Sequence, residues 1–234
     1  MKIAIMQPYF FPYLGYFSLI KHTDKFIVFD PVQFIRHGWI ERNRILKPAE
    51  GWQYIAVPLE KHSREIIIKD IKIRVKEEWE EKIFRQLLHY KKAPHFSEVF
   101  NLISTAINIP TDSIVKLNTN ILTMICRYLN VPFKATIYSE MNLVIDPIKN
   151  AGHWALNICK ALGGNEYINP IGGVEIFDRS EFEEMGINLK FINLKLGPYN
   201  QNRNNFEQGL SIIDVMMFNS VDQIEKMLNN YEFV

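Results

Sequence analysis

The chain has 234 residues, of which 47% are hydrophobic and 13% aromatic, and its 27 Lys and Arg nearly balance its 26 Asp and Glu. This composition excludes disordered and collagen-like chains, because enough apolar surface is present to offset the entropy lost on folding. The near-neutral charge disfavours nucleic acid as a partner, since nucleic-acid-binding proteins usually carry a basic excess.

The N-terminal segment predicts a strand, a helix and a second strand. Lys2–Met6 is a short apolar run typical of a buried strand. An apolar stretch at 13–21 begins after Pro12 and predicts a helix, and the run at 25–30 predicts another strand. A unit of this kind predicts a parallel sheet with a right-handed crossover.

The same alternation continues to the C-terminus. Further strands are predicted at 52–59, 66–68, 71–73, 133–138, 166–170 and 187–194, and helices at 77–90, 96–107, 111–129, 150–162, 182–185, 212–219 and 221–230. Strands that alternate with helices indicate an α/β fold with a parallel-sheet, Rossmann-like core and additional helices. We interpret residues 1–234 as a single α/β domain with a helical insertion at about 77–130.

The N-terminus does not have the pattern of a signal peptide. Gln7, Pro8 and Pro12 interrupt its apolar run, and no small-residue cleavage site follows. No window reaches the roughly 18 apolar residues of a membrane helix. Cys126 and Cys159 form no CxxC motif and are interpreted as core thiols. We therefore expect a cytoplasmic protein without membrane insertion.

The aromatic loop after the first strand is the first candidate site. In open α/β sheets ligands bind outside the carboxyl ends of strands, and a helix that begins there suits phosphate. Gln7, an amide between an apolar strand and a proline, requires a partner. Tyr9, Tyr13 and Tyr16 are candidate pocket walls, and Gly15 permits close approach of a ligand or a neighbouring strand.

The segment after the second strand is the second candidate site, on the same edge of the sheet. Three arginines within nine residues can hold a carboxylate or a phosphate through paired hydrogen bonds. The arginines are Arg36, Arg42 and Arg44, and Gln33, Trp39 and Asn43 add hydrogen-bonding and stacking groups. His37 is the candidate general base, and Asp30 is the carboxylate placed to bind magnesium or accept an amine proton. A solvated loop with surface arginines is the alternative.

A third candidate site lies near the C-terminus. Tyr199 and Gln201 are loop residues that could contact a ligand, whereas Ser211 and Asp214 have the spacing of a helix cap, so a structural role is equally compatible. The histidines form no HxH or HExxH motif, and no metal site is predicted.

The segment QPYFFPYLGYF at 7–17 resembles the opening signature of the WbqC-like proteins. Other matching positions follow in the same order, at Gln33, 39–45, Asn169, Pro170, Gly172, Gly173, Tyr199, Gln201 and 210–214. The resemblance extends from residue 1 to about residue 220. Members of this family occur with bacterial O-antigen and other surface-polysaccharide genes. The resemblance implies transfer of a glycyl or other acyl group to an amino sugar.

A second resemblance is to the layout of the HxGH nucleotidyltransferases, which include pantothenate synthetase. Tyr13-Leu14-Gly15-Tyr16 occupies the position of that motif, with tyrosine in place of both histidines. Tyrosine can donate a hydrogen bond to phosphate but lacks the near-neutral pKa of histidine. This resemblance implies a nucleotidyltransferase-like core and nucleotide binding, with Gly172 and Gly173 closing the pocket as a second phosphate loop.

Together these patterns and resemblances give the hypothesis of an enzyme that attaches a small acyl group to the amine of a nucleotide-linked sugar. Asp30, His37 and Tyr16 would be catalytic, and the remaining candidates would bind substrate or nucleotide. The cofactor is left open by the sequence, and magnesium would accompany ATP if ATP is consumed. The alternatives are a nucleotidyltransferase acting on a sugar phosphate and a non-catalytic nucleotide-sugar binding protein.

Overall fold

The computed structural model describes residues 1–76 and 78–234. The strands are β1 (Lys2–Met6), β2 (Lys25–Val28), β3 (Arg42–Leu46), β4 (Trp52–Ala56), β5 (Glu166–Pro170), β6 (Asn188–Leu194) and β7 (Tyr231–Phe233). The α-helices are α1 (Leu14–Lys21), α2 (Trp79–Leu87), α3 (Phe96–Ile107), α4 (Ile114–Tyr128), α5 (Ala151–Ala161), α6 (Arg179–Glu184), α7 (Ile212–Phe218) and α8 (Val221–Leu228).

Five strands form one sheet in the order β2-β1-β5-β6-β7. Neighbouring strands from β2 to β6 are parallel, and β7 is antiparallel to β6. The chain passes from β1 through α1 to β2 on one side and later returns to β5 on the other side of β1. The order of the strands therefore reverses between β1 and β5, and the expected Rossmann-like α/β fold is confirmed.

Successive residues of β1 face opposite sides of the sheet, as the pleat of a strand requires. Ile3 and Ile5 belong to a core that includes side chains of α5 and α6. Ala4 belongs to the other core, which contains residues of α1 and of the helices from α2 to α4, α7 and α8. A strand buried on both faces explains why the sequence of β1 is a continuous apolar run.

β3 and β4 form a separate antiparallel hairpin. The strand predicted at 52–59 is present as β4, in this hairpin and not in the five-stranded sheet, whereas β3 was expected to be loop. Its residues alternate, with Asn43 and Ile45 buried while Arg42 and Arg44 are only half-buried. This is the pattern of a two-stranded ribbon with one face on the core, and it is a weaker signal than a continuous apolar run.

Three other predictions are corrected by the backbone hydrogen bonds. Residues 66–68 and 71–73 are not strands, because Ile68–Asp70 forms a 3₁₀ turn beside isolated bridges. Residues 133–138 contribute only the single bridge of Ile137 to Val28. Apolar residues at 66–68, 71–73 and 133–138 pack on the core without forming a ladder of strand hydrogen bonds, so hydrophobicity alone overestimated strand content. By contrast, β7, which pairs with β6, was not predicted.

The helices agree more closely with the sequence pattern. The helix predicted at 77–90 is α2 followed by a 3₁₀ turn at Leu88–Lys92, and its predicted first residue, Glu77, lies outside the described residues. α2, α3 and α4 occupy the stretch predicted as a helical insertion, and the single-domain organisation stays a prediction. Among the described residues no helix is both long enough and apolar enough to cross a membrane.

Candidate functional site

A cavity of about 830 Å³ lies at the carboxyl edge of the sheet. Met6 and Gln7 reach it from the end of β1, Phe29 from the end of β2, and Asn169 and Pro170 from the end of β5. The cavity therefore lies where the strand order reverses, which is where open α/β sheets bind their ligands. Its volume is within the range of small-molecule sites. We call it the switch-point cavity.

Half of the predicted site residues line the switch-point cavity. These are Gln7, Tyr9, Tyr13, Gln33, Trp39, Asn43, Arg44, Asn169, Gly172 and Gly173. The wall is completed by the aromatic residues Phe29, Trp154, Tyr167 and Phe177 and by Ile5, Met6, Val32, Ile35, Ala151, Ala155, Pro170, Ile176 and Gly209. The two segments that follow β1 and β2 thus meet at one site, as their position in the sequence predicts.

The aromatic loop between β1 and α1 is held in an irregular conformation by side chains from other elements. Phe11 has a positive φ of 42°, which is unusual for a bulky residue. Asn43 Nδ2 donates to the carbonyl oxygens of Phe10 and Phe11 at 3.0 Å each. Ser211 Oγ also donates to Phe11 O, at 2.7 Å, and caps α7. These bonds fix the loop, so the position of Asn43 in the cavity wall is also structural.

Asn118 of α4 supports the same loop and was missed by sequence reasoning. Its Nδ2 donates to Pro8 O at 2.8 Å and to Ile40 O at 2.9 Å, joining the segments after β1 and β2. The side chain is fully buried in a helix whose other buried residues, except Thr119, are apolar. A polar residue on the apolar face of a helix is the signal that could have found it.

Tyr13 and Gly15 act as a pair at the start of α1. Tyr13 precedes the helix, and a Cβ added to Gly15 would collide with the Tyr13 ring. Glycine at this position therefore makes room for an aromatic side chain that lines the cavity, and Gly15 itself is not part of the wall. Burial, followed by the nearby Tyr9 hydroxyl, raises the pKa of Tyr13 to about 12, so the phenol is neutral and can donate a hydrogen bond.

Tyr16 lies outside the cavity. Its side chain is fully buried, and its hydroxyl donates to Gln7 O at 2.8 Å. Burial raises the pKa of Tyr16 well above its ordinary value. Tyr16, at the second histidine position of the HxGH layout, thus links α1 to the preceding loop through a hydrogen bond.

Arg44 is the positive charge of the cavity wall. The carbon of its guanidinium lies 5.3 Å from the centre of the Trp39 ring and 5.2 Å from that of Trp52. Its Nη2 donates to Gly209 O at 2.9 Å, and its Nε is buried without a hydrogen-bond partner. No carboxylate of the described residues pairs with it. A half-buried cation without a counter-ion favours an anionic ligand.

The other two candidate arginines, Arg36 and Arg42, make their contacts outside the cavity. Arg42 donates through Nη2 to His37 O at 2.6 Å and lies over the Tyr54 ring, with 4.0 Å between the guanidinium carbon and the ring centre. Arg36 is exposed, and its Nη2 donates to His62 O at 3.5 Å. His37 is also exposed, with a φ of 62° in a turn. None of these three lines the cavity, because Arg36 and His37 lie in the exposed turn between Ile35 and Trp39 and Arg42 packs on Tyr54.

Asp30 is 1% exposed and is not among the residues that line the cavity. Its two carboxylate oxygens accept from Ser139, from the backbone N–H at 3.1 Å and from Oγ at 2.6 Å. This carboxylate therefore ties the end of β2 to the loop that precedes α5. The predicted roles of Asp30, His37 and Tyr16 stay predictions, and in the geometry described none of them contacts the cavity.

A buried network underlies the third candidate site, and we call Asp214, Tyr90, Tyr199 and Gln201 the Asp214 cluster. Asp214 Oδ2 accepts from Tyr90 OH at 2.8 Å, and Oδ1 accepts from Tyr199 OH at 2.5 Å and from Gln201 Nε2 at 2.8 Å. Tyr90 OH accepts in turn from the backbone N–H of Leu46 at 2.9 Å. Burial raises the pKa of the Asp214 carboxyl. The cluster fastens β3 to α7 and lies outside the cavity.

The side-chain amides of the cavity wall differ in how many of their polar atoms make hydrogen bonds within the protein. Gln33 Nε2 donates to Arg64 O at 2.7 Å, and Asn169 Nδ2 donates to Tyr167 OH at 2.7 Å. Within residues 1–76 and 78–234 the Gln7 side chain has no hydrogen-bond partner at all, although it lines the cavity. Such unused amide atoms are available to a ligand.

Sequence reasoning missed the aromatic residues of the wall. Phe29 follows β2 directly, and Trp154 lies in the first turn of α5, at the carboxyl edge of the sheet. Tyr167 belongs to β5 and Phe177 to the turn after it. The positions at strand ends and helix starts could have identified Phe29 and Trp154, whereas Tyr167 has the pattern of an ordinary core residue.

The donor set of the wall does not fit magnesium held by protein carboxylates. Among the described residues, the cavity-lining side chains include no carboxylate, imidazole, amine or thiol. No cluster of His, Cys, Asp and Glu arranged to hold a metal is found in this part of the chain. Magnesium prefers oxygen ligands, usually with one or two carboxylates, and Asp30 is already engaged by Ser139. Amides, phenols and one guanidinium can bind and orient a ligand.

Comparison with known proteins agrees with the first resemblance. The sequence matches the model of the WbqC-like protein family over residues 7–226. It is also similar to an uncharacterised protein of Mycobacterium tuberculosis, Rv1507c, with 27% identity over 224 residues and 92% of each chain covered. No solved structure matches it significantly.

Proposed function

We propose that this chain, which belongs to the WbqC-like protein family, binds a nucleotide-linked sugar in the switch-point cavity and acts in the transfer of a small acyl group to the amine of that sugar. The observation that carries the proposal is the unpaired guanidinium of Arg44 in an aromatic-walled cavity at the reversal of the strand order. A phosphate group would supply the counter-charge that Arg44 lacks.

Shape and chemistry of the wall support a ligand of this kind. The rings of Trp154, Phe29 and Phe177 offer apolar surface to a planar base or a sugar face. Trp39 stacks with Arg44 and holds the guanidinium in place. The volume of about 830 Å³ is large enough for a nucleotide-sized molecule.

The proposed reaction forms one bond and breaks one. The amine nitrogen of the sugar bonds to the carbonyl carbon of an activated acyl donor, a thioester or an acyl adenylate, and the bond from that carbon to its leaving group breaks. The amine loses one proton to the leaving group or to water. The wall contributes orientation and hydrogen bonds, which accelerate a two-substrate reaction by holding the reacting atoms in place. A glycyl group is the smallest acyl group that the family resemblance implies.

A second candidate function is non-catalytic binding of the same ligand. The observation that favours it is the composition of the wall, in which the described side chains include no general base. Sugar-phosphate nucleotidyl transfer is supported less, because Tyr16, at the second histidine position, is sealed in the core. We place either activity in the cytoplasm as part of the proposal, because Cys126 and Cys159 are both free, buried thiols.

Binding is tested by thermal shift and calorimetry with UDP, UDP-glucose, UDP-glucosamine and the corresponding CDP and ADP compounds. A ligand at a hundredfold excess over its Kd stabilises the protein by about 2.7 kcal/mol. Arg44→Ala should weaken binding of the phosphorylated ligand about tenfold or more. Arg36→Ala, which removes an exposed arginine outside the cavity, is the matched control and should leave the Kd unchanged.

Transfer is tested by incubating the best ligand with acyl donors and measuring amide product by mass spectrometry. Enzyme-dependent amide would support the transferase, and binding without product for all donors would favour the binding protein. If no nucleotide or nucleotide sugar binds, or if Arg36→Ala weakens binding as much as Arg44→Ala, the proposal is wrong.

A further inference from the structure

The carbonyl oxygen of the Asn169 side chain is an unused acceptor in the wall of the switch-point cavity. Asn169 is the fourth residue of β5 and is 8% exposed. Its Nδ2 donates to Tyr167 OH at 2.7 Å, and this bond fixes the orientation of the amide. Oδ1 then faces away from Tyr167, and no hydrogen-bond donor of the described residues reaches it.

Gly173 keeps this oxygen uncovered. A Cβ at position 173 would collide with Asn169 Oδ1, whereas a Cβ at Gly172 would meet nothing within 4 Å. The φ of Gly173 is not in the left-handed region, so the backbone of the turn Ile171–Ile176 does not itself require glycine there. Glycine is needed at 173 for space, and the space it leaves is next to the carbonyl oxygen.

The surroundings of this oxygen are apolar. Tyr167, Phe177, Trp154 and Phe29 line the same cavity, and the Phe177 ring lies beside Gly173. The centres of the Tyr167 and Phe177 rings are 5.3 Å apart, and those of Phe29 and Trp154 are 5.2 Å apart. An acceptor among aromatic rings makes a stronger hydrogen bond than one in water, and it leaves a cost if no donor arrives.

We propose that Asn169 Oδ1 is the specificity-determining acceptor for an amino group of the ligand. An N–H₂ group donates to this oxygen, while the aromatic side chains contact the ring that carries the group. Asn169 therefore selects amine-bearing ligands against analogues that have a carbonyl or a hydrogen at that place. Tyr167 is the positioning residue, because it holds the amide in the required orientation. This inference rests on the proposed function and names a feature of its substrate.

Two parts of a nucleotide-linked sugar can supply the amine. One is the exocyclic amine of a nucleobase, which CMP has and UMP lacks. The other is the amine of the sugar, which UDP-glucosamine has and UDP-linked 2-deoxyglucose lacks. Comparing the two pairs on the same protein by calorimetry distinguishes the sources.

In the wild-type protein we expect the amine-bearing member of one pair to bind about tenfold more tightly, as the gain of one hydrogen bond corresponds to about that factor. Asn169→Leu removes the acceptor at similar volume and should reduce the ratio of the two Kd values to within about twofold. Affinity for the member without the amine should stay within about threefold, because only the selective hydrogen bond is lost.

Gly173→Ala and Gly197→Ala provide a matched pair. Gly173→Ala covers the oxygen and should abolish the preference, whereas Gly197→Ala adds the same methyl group in open space outside the cavity and should retain it. This pair keeps the test decisive if Asn169→Leu fails to fold by circular dichroism. Tyr167→Phe should lower the preference, because the Asn169 amide loses the hydrogen bond that orients it. Asn169→Asp keeps an acceptor at this position and should still bind the amine-bearing member.

The outcomes separate this inference from the proposed function. If no nucleotide or nucleotide sugar binds to the wild type, the proposed function is wrong and the inference falls with it. If ligands bind but neither pair shows an amine preference, only the inference is overturned. It is also overturned if Asn169→Leu keeps the full preference or if Gly197→Ala loses as much of it as Gly173→Ala.

Discussion

Polar side chains in the switch-point cavity and in the Asp214 cluster differ in how many of their hydrogen-bonding atoms are used. Asp214 accepts from three donors, and Tyr90 both donates and accepts. In the cavity, Gln7 has no side-chain partner among the described residues, and Arg44 has no counter-ion there. Residues with the same polar character in the sequence therefore separate into a satisfied group that holds the fold and an unsatisfied group that faces open space.

The difference gives a criterion for interpreting this site. A polar group that is left unpaired costs free energy, so an unpaired polar group that faces a cavity is a candidate for contact with a ligand. Substitutions in the Asp214 cluster should lower stability, and substitutions in the cavity wall should lower ligand affinity. The following variants test how far the two regions are separate.

Asp214→Ala should have the largest effect on stability. It leaves three buried donors without an acceptor, and we expect a loss of about 3–5 kcal/mol in the free energy of unfolding. For a chain of this length that lowers Tm by about 10 °C. Urea unfolding followed by circular dichroism measures it, with Tyr199→Phe, which removes one of the three donors to Asp214, as the comparison. Equal losses for the two variants would contradict the expectation that the loss grows with the number of donors left without an acceptor.

Asn43→Ala should lower both stability and ligand affinity. Asn43 lines the cavity, but its Nδ2 donates to Phe10 O and Phe11 O and its Oδ1 accepts from the backbone N–H of Arg44. We expect a stability loss of about 2 kcal/mol together with a loss of ligand affinity. Unfolding and calorimetry on the same preparation measure both. A loss of affinity with unchanged stability would mean that the loop does not depend on this amide.

The pH dependence of stability should report on Asp214. Its pKa is raised by burial, so the folded protein holds this proton more tightly than the unfolded chain does. The stability from this group is fully present below its ordinary pKa of about 3.9 and is lost as pH rises through the raised pKa, by about 1.4 kcal/mol for each unit of the interval.

Asp214→Asn carries no such proton. The advantage of the wild type over Asp214→Asn in the free energy of unfolding should therefore shrink as the pH rises through this interval. Urea titrations at a series of pH values measure the gap, and a gap that widens with pH would contradict the direction of the shift.

Gly15→Ala should affect the cavity with little effect on the fold. Alanine favours the helix by about 1 kcal/mol over glycine, but its methyl group displaces the Tyr13 ring. We expect ligand affinity to fall about threefold to tenfold, since overpacking costs at least about 1 kcal/mol. Adding Tyr13→Ala to Gly15→Ala should cause little further loss. Fully additive losses of the two substitutions would refute the steric pairing.

His37→Asn should have the smallest effect. The residue is exposed, lies outside the cavity and has a φ of 62°, which asparagine adopts readily. Stability should change by no more than about 0.5 kcal/mol, and ligand affinity should not change. Loss of amide formation at unchanged Kd would restore His37 as the candidate general base and imply a different geometry of its loop in the complex.

The fold was predictable where the sequence carries a strong period or a continuous apolar run. β1, β2, β5 and β6 are short runs buried between two layers of helices, and each was predicted close to its position. β3 was missed because Arg42 and Arg44 interrupt its apolar positions, and residues 133–138 were overestimated because apolar content does not specify hydrogen bonding. Membership of the WbqC-like family was predicted from the opening motif and is confirmed.

The candidate site was predictable as a location but not as a set of contacts. The rule that ligands bind at the carboxyl ends of strands brings the segments after β1 and β2 to one edge, where the cavity lies. Which arginine faces the cavity depends on the direction of each side chain. Arg42 and Arg44 lie on the same face of β3, yet Arg42 packs on Tyr54 and Arg44 lies between Trp39 and Trp52.

The sequence by itself determined the α/β class, the edge of the sheet that bears the site and the chemical types gathered there. These follow from hydrophobic periodicity and from chain order, which act over a few residues at a time. Only the tertiary structure decided which polar atoms are used. Hydrogen-bond satisfaction depends on partners distant in the chain, such as Tyr90 for Asp214 or Ser139 for Asp30. The unused amides and the unpaired Arg44 become visible only when those partners are in place.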